Sequence, residues 1–281
     1  VFPDGTEAEL PAGKDPRALF ADWLIRPENP WFTRNIVNRV WYRLFGRGII
    51  HEPDDIRPNN PARNPELLAV LSRLLIRARY DLKRLFRVIL NSRVYQLSSV
   101  PATGSPEAEA EFACYPLTRL DAEVLIDALC QITGTTEQYS SVIPEPFTFI
   151  PPKLRAVNLP DGSITSPFLE MFGRPPRDTG YESERNKRPT ATQRLHLLNS
   201  SQVLSKLQRG RLLRELLRSA RGNARKAVDG LYLTILSRHP TTEELGTLRS
   251  LSRMSGARRS RNDLIDLAWA LINCAEFQYR H

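Results

Sequence analysis

Four times in this chain a residue with a short polar side chain is followed directly by proline: Asp15-Pro16, Asn29-Pro30, Asn64-Pro65 and Ser166-Pro167. Each pair puts a hydrogen-bond acceptor where a helix needs an N-cap, and a proline at the first helical position, where its missing N–H costs nothing. Four helix starts are therefore written in local chemistry. The second leads into the clearest amphipathic run, from about Pro30 to Phe45. There Ile36, Val40 and Leu44 form one row, Val37, Trp41 and Phe45 the next, and Gly46 is the natural stop. Further helices are expected over Pro16 to Ile25, Pro65 to Arg77, Leu82 to Asn91 and Arg119 to Ile132, with Gly134 closing the series.

Between Thr135 and Pro189 the pattern breaks, with nine prolines and only the short SPFLEMFG as a helix. Loops of that length are functional or disordered. Phe147, Phe149, Ile150, Phe168, Met171 and Phe172 favour an ordered insert that wraps over the helices, because disordered tracts are poor in aromatics. Helical patterning resumes with TATQRLHLLNSSQVLSKL, GRLLRELLRSA, RKAVDGLYLTILSR, TEELGTLRSLSR and NDLIDLAWALINCAEF, where Thr241 and Glu244 fit a capping box. Strand signals are almost absent. The expected fold is mainly α: a multi-helix globular domain, residues 15–281, in two helical halves (15–134 and 190–281) joined by a long proline-rich irregular insert (135–189). Residues 1–14, with a P-D-G turn, read as the end of an upstream region or a hairpin.

No apolar run reaches the length of a membrane span, and the N-terminus lacks the form of a signal peptide. Cys114, Cys130 and Cys274 sit far apart among apolar neighbours, as buried free thiols do. The four histidines have no ligand spacing, so neither a metal nor a cofactor is expected. The net charge of +9 is unevenly placed: Ser205 to Arg261 holds fourteen Lys or Arg against four Asp or Glu, a local balance of +10. Arg258, Arg259 and Arg261 fall in one short run there. A basic surface of this kind binds polyanions, though arginines on helices also serve as a solvated face. Tyr232 is the only aromatic in the segment, which argues against nucleic acid and for an acidic polysaccharide or acidic protein.

Arg39, Arg43 and Arg47 recur every four residues and repel one another unless anions lie close. Glu52, Asp54 and Asp55 follow within one glycine-containing turn, and Arg57 adds a bidentate donor. The favoured reading is a local network that locks this loop, with Asp54 or Asp55 on an arginine and a cost of about 3–5 kcal/mol for breaking a buried pair. The competing reading makes Asp54 and Asp55 acids of a hydrolase for carbohydrate or ester, completed by Glu184 from FGRPPRDTGYESER. That segment also offers Arg174, Arg177 and Arg185 as anion-binding groups, either on a charge-balanced surface loop or across a cleft from the Asp54 loop.

NPWFTRNIVNRVWYRLFGRGIIHEPDDIRPNNPARNPELLAVL, YDLKRLFRVILNSRVYQLSS, FGRPPRDTGYESER and QRLHLLNSSQV, in that order over roughly Asp15 to Val203, resemble a domain of unknown function. It forms the C-terminal part of large planctomycete and verrucomicrobial proteins that often carry a cytochrome c-like domain. The resemblance implies a multidomain, extracytoplasmic setting, with other domains of the same polypeptide as partners, and implies no particular activity. Many members of that family have C-E-C-E-R where this chain has Tyr181-Glu182-Ser183-Glu184-Arg185, so no role of that cysteine pair carries over. Taken together, the chain reads as a non-catalytic helical module that scaffolds or binds a partner, with the hydrolase and polyanion-binding readings as alternatives.

Overall fold

The computed structural model describes all residues except 10, 12, 14, 102–106, 108, 109, 145, 161, 176–183, 221, 222, 255–260 and 281, and the side chains of 217 and 252–254. Among the described residues the chain is mainly α, as the capping pattern predicts. It divides into two compact units, Val1–Thr118 and Arg119–Arg280.

The first unit contains α1 (Pro16–Leu24), α2 (Phe32–Phe45), α3 (Pro65–Arg77) and α4 (Leu82–Leu90). The side chain of Asp15 accepts from Arg17 N–H and that of Asn64 from Leu67 N–H, each ahead of its proline. Asn29 behaves differently: its Oδ1 accepts from Trp31 and Phe32 N–H, both at 3.0 Å, and the helix proper begins at Phe32. The acceptor shapes the turn that leads into the helix and does not cap the helix itself. Val37, Val40, Trp41 and Leu44 pack against Leu68, Leu71 and Leu75. Burying side chains of this size contributes about 1.5–3 kcal/mol each relative to exposure. At the N-terminus, residues 2–6 form a hydrogen-bonded turn, and the Phe2 ring stacks on Trp23 at 5.0 Å.

The second unit begins ahead of α5 (Ala122–Thr133), so this helix groups with the chain that follows it. The insert contributes a short antiparallel pair, β1 (Ser140–Ser141) with β2 (Ile164–Thr165), a 3-10 turn (Ala156–Asn158) and α6 (Pro167–Met171). Its later half is anchored: Ala156, Ile164, Phe168, Leu169 and Phe172 are buried, and the turn and α6 pack on α5. Phe147 and Phe149 are instead 84% and 69% exposed, so those two rings do not hold the insert down. Among the described residues seven more helices follow: α7 (Ala191–Asn199), α8 (Ser201–Arg209), α9 (Arg211–Ser219), α10 (Ala224–Leu236), α11 (Thr242–Met254), α12 (Arg261–Asn273) and α13 (Ala275–Gln278). The run TATQRLHLLNSSQVLSKL is two helices, because Ser200 is extended and its side chain caps α8 through Val203 N–H. The capping box at Thr241 and Glu244 is formed, with Thr241 N–H to Glu244 Oε2 at 2.7 Å and Glu244 N–H to Thr241 Oγ1 at 3.2 Å.

Candidate functional site

In the first unit the acidic loop after α2 is folded back onto that helix. Gly46 takes φ +71° to end α2, and the fully buried Asn38 reaches out from the helix to hold the returning chain. Its Nδ2 donates to Ile50 O at 3.0 Å and Pro53 O at 3.1 Å, and its Oδ1 accepts from Ile50 N–H at 2.9 Å. One residue further along the helix, Arg39 Nε donates to Asp54 Oδ1 at 2.6 Å. Asp55 takes a bidentate pair from Arg57 at 2.5 and 2.7 Å, and the guanidinium holds the Asp55 carboxyl below its usual range. Arg43 lies exposed on α2, and Arg47 is half-buried beyond Gly46.

These pairs are more exposed than the sequence reading assumed. Side-chain exposure is 43% for Arg39 with 15% for Asp54, and 67% for Arg57 with 30% for Asp55. Water screens pairs of this kind, so the cost of 3–5 kcal/mol expected for a buried pair does not apply to them. Asn38 is the residue that sequence reasoning missed. Its signal was a polar residue among the apolar positions Val37, Val40, Trp41 and Leu44 of an amphipathic helix, eight residues before a glycine turn.

In the second unit the buried charge lies elsewhere. Arg185 Nη1 and Nη2 donate to the two oxygens of Glu123 at 2.7 and 2.9 Å, and Arg174 Nε lies 3.3 Å from Glu123 Oε1. The three side chains are 16%, 13% and 9% exposed in the order Arg185, Glu123, Arg174. Burial pushes the Glu123 carboxyl up. The bonds and charge of Arg185, with Arg174, more than reverse this and hold it below its ordinary value. Arg174 also donates through Nη1 to Ile164 O. The base of the segment between the two arginines is closed by backbone: Asn186 N–H donates to Gly173 O at 3.1 Å, with Gly173 at φ +89°. A Cβ at Gly173 would stand 2.1 Å from Asn186 O, so glycine is required there. Beside this clamp, Arg119 lies 4.8 Å over the Phe172 ring and donates to Gln193 Oε1, while Gln193 Nε2 donates to Met171 O at 2.8 Å.

Arg174 and Arg185 thus turn inward onto one carboxylate. Glu184 is exposed and belongs to the second unit, whereas Asp54 and Asp55 belong to the first. Arg177, Tyr181, Glu182 and Ser183 lie outside the described residues, as do Arg258 and Arg259. Arg261 is described: it is exposed, and its Nη2 donates to Gln208 O at 2.8 Å. With Leu264 and with Arg214 and Arg218 of α9, it lines an open hollow of about 330 Å³. Arg214 Nε donates to Gly210 O at 3.2 Å, and among the described residues no carboxylate pairs with any of these three arginines.

Among the described residues no group of three His, Cys, Asp or Glu is placed to hold a metal ion, and no helix is long and apolar enough to cross a membrane. A family model described as PSD1, a protein of unknown function (DUF1553), matches residues 16–252. No curated protein and no solved structure matches the chain.

Proposed function

We propose that this chain, which belongs to the PSD1 family of proteins of unknown function, is a non-catalytic helical module that binds an acidic polymer through its second unit. The observation that carries the proposal is the contrast between two sets of arginines. Arg39, Arg57, Arg174, Arg185 and Arg238 each hold a carboxylate, whereas Arg214, Arg218 and Arg261 line one hollow and among the described residues pair with none. Guanidinium groups that line one surface hollow and hold no carboxylate there favour an anionic partner, and their planar forks suit carboxylate or sulfate groups spaced along a chain. The scarcity of nearby aromatic rings favours an acidic polysaccharide over nucleic acid.

The paired acids support the non-catalytic half of the reading. A general acid needs a raised pKa and a general base needs a free carboxylate. Asp54 and Asp55 are held by arginines, and Asp55 is held below its ordinary range. The family resemblance further supports a setting outside the cytoplasm within a larger multidomain protein, where other domains of the polypeptide are additional partners. Heparin chromatography tests the binding reading. The parent protein is expected to be retained at low salt, and a variant carrying Arg214→Ser, Arg218→Ser and Arg261→Ser to elute earlier. Co-elution of the two would remove the hollow as the binding site.

A further inference from the structure

A second polar cluster lies in the same unit and has no part in either network. Cys130 sits near the end of α5, the irregular chain beyond Gly134 brings in Glu137, and α8 supplies Lys206. Lys206 Nζ lies 3.4 Å from Cys130 Sγ and 3.0 Å from Glu137 Oε2, and donates to Thr136 O at 2.8 Å. The Lys206 and Glu137 side chains are 11% and 7% exposed. Gln202 Nε2 donates to Glu137 Oε1 at 2.7 Å, which fixes the carboxylate in place. A lysine amine is ordinarily a mobile, hydrated charge. Here it is held against a sulfur, with a proton acceptor beside it.

We propose that Cys130 and Lys206 are joined by a reversible covalent cross-link when the protein meets hydrogen peroxide. The Cys130 thiolate attacks one peroxide oxygen. An S–O bond forms, the O–O bond breaks, sulfur gives up two electrons, and the departing hydroxide takes up a proton as water. Glu137 then accepts a proton from the Lys206 ammonium, and the freed amine attacks Sγ. The S–N bond forms as the S–O bond breaks, and the hydroxyl leaves as a second water with a proton lost from nitrogen. Thiol, amine and one peroxide thus give a sulfenamide and two waters. A thiol reductant reverses the link by attacking Sγ and expelling the amine.

Burial raises the Cys130 thiol above its ordinary range, with the Lys206 charge and hydrogen bond pulling the other way. Cys274 is an internal comparison, since its thiol donates to Leu271 O at 2.9 Å. The link would tie α5 covalently to α8.

Peptide mapping by mass spectrometry after peroxide treatment, without reductant, tests the proposal. The expected product joins the Cys130 and Lys206 peptides, lighter than their sum by two hydrogens, or one oxygen heavier than that where a second peroxide inserts oxygen between sulfur and nitrogen. Dithiothreitol should release both peptides unchanged. Lys206→Arg keeps a cation beside Glu137 and should yield no link, leaving Cys130 to over-oxidise to the sulfinic acid; Cys130→Ser should leave Lys206 unmodified. Sulfinic acid at Cys130 of the parent with Lys206 unlinked, or a disulfide from Cys130, would overturn the proposal.

Discussion

Glu123 holds two guanidinium groups at once, so a change at this one side chain reaches both Arg174 and Arg185. Glu123→Gln removes the carboxylate charge that the largely buried Arg174 and Arg185 share, and the expected loss is about 3–5 kcal/mol in urea unfolding. A loss of a few tenths would show that the pair is not held as described. Asn38→Ala removes the three bonds by which this side chain holds the returning chain and leaves the Ile50 N–H buried without that acceptor. A cost of about 2–4 kcal/mol is expected by the same measurement. Asp55→Asn, by contrast, should melt with the parent, because its pair is open to water. The sequence showed the charges of the Arg39 stripe and the loop but not their burial. Acids adjacent to arginines in the chain paired locally, as expected of the Asp54 loop. The pairing of Arg185 with Glu123 spans 62 residues, and no local spacing announces it.

Helix starts were the most legible elements, because a cap and its proline act within a few residues of one another. Asp15, Asn64 and Ser166 each accept a backbone N–H at their helix N-terminus. The break at Ser200 was less legible: apolar residues continue across it at helical spacing, and only the extended backbone of Ser200 separates α7 from α8. The insert was partly legible, since aromatic content indicates burial without saying which rings are buried. Phe168 and Phe172 stack at 4.1 Å in the core while Phe147 and Phe149 face solvent. The backbone bond from Asn186 N–H to Gly173 O is testable at Gly173. Gly173→Ala forces a Cβ into the Asn186 carbonyl at a positive φ, and should cost more than about 1 kcal/mol. Gly246→Ala is the matched control, since nothing lies within 4 Å of a Cβ there and a helical alanine is favoured. Equal thermal unfolding of the two variants would contradict the tight closure.

For the molecule as a whole, charge bears on pH stability and on the proposed partner. Arg238 gathers Glu244 and Glu276 at the junction of α10, α11 and α13, and its bonds hold the Glu244 carboxyl down at about 2. A carboxylate whose folded pKa is depressed contributes stability above its unfolded value, near 4.5, and loses it as pH falls toward about 2. The melting-temperature gap between the parent and Glu244→Gln should therefore narrow on acidification through that window, and a constant gap would contradict the pairing. The +10 of Ser205 to Arg261 was plain in the sequence. Which of its arginines remain unpaired was not, because that depends on how α9 and α12 bring Arg214, Arg218 and Arg261 around one hollow. The most direct test of the binding claim is the salt dependence of affinity for a fluorescently labelled heparin fragment, measured for the parent and for the variant carrying Arg214→Ser, Arg218→Ser and Arg261→Ser. The account predicts weaker binding at every salt concentration and a slope of log affinity against log salt shallower by about 2–3. Equal affinity and equal slope for the two proteins would contradict it.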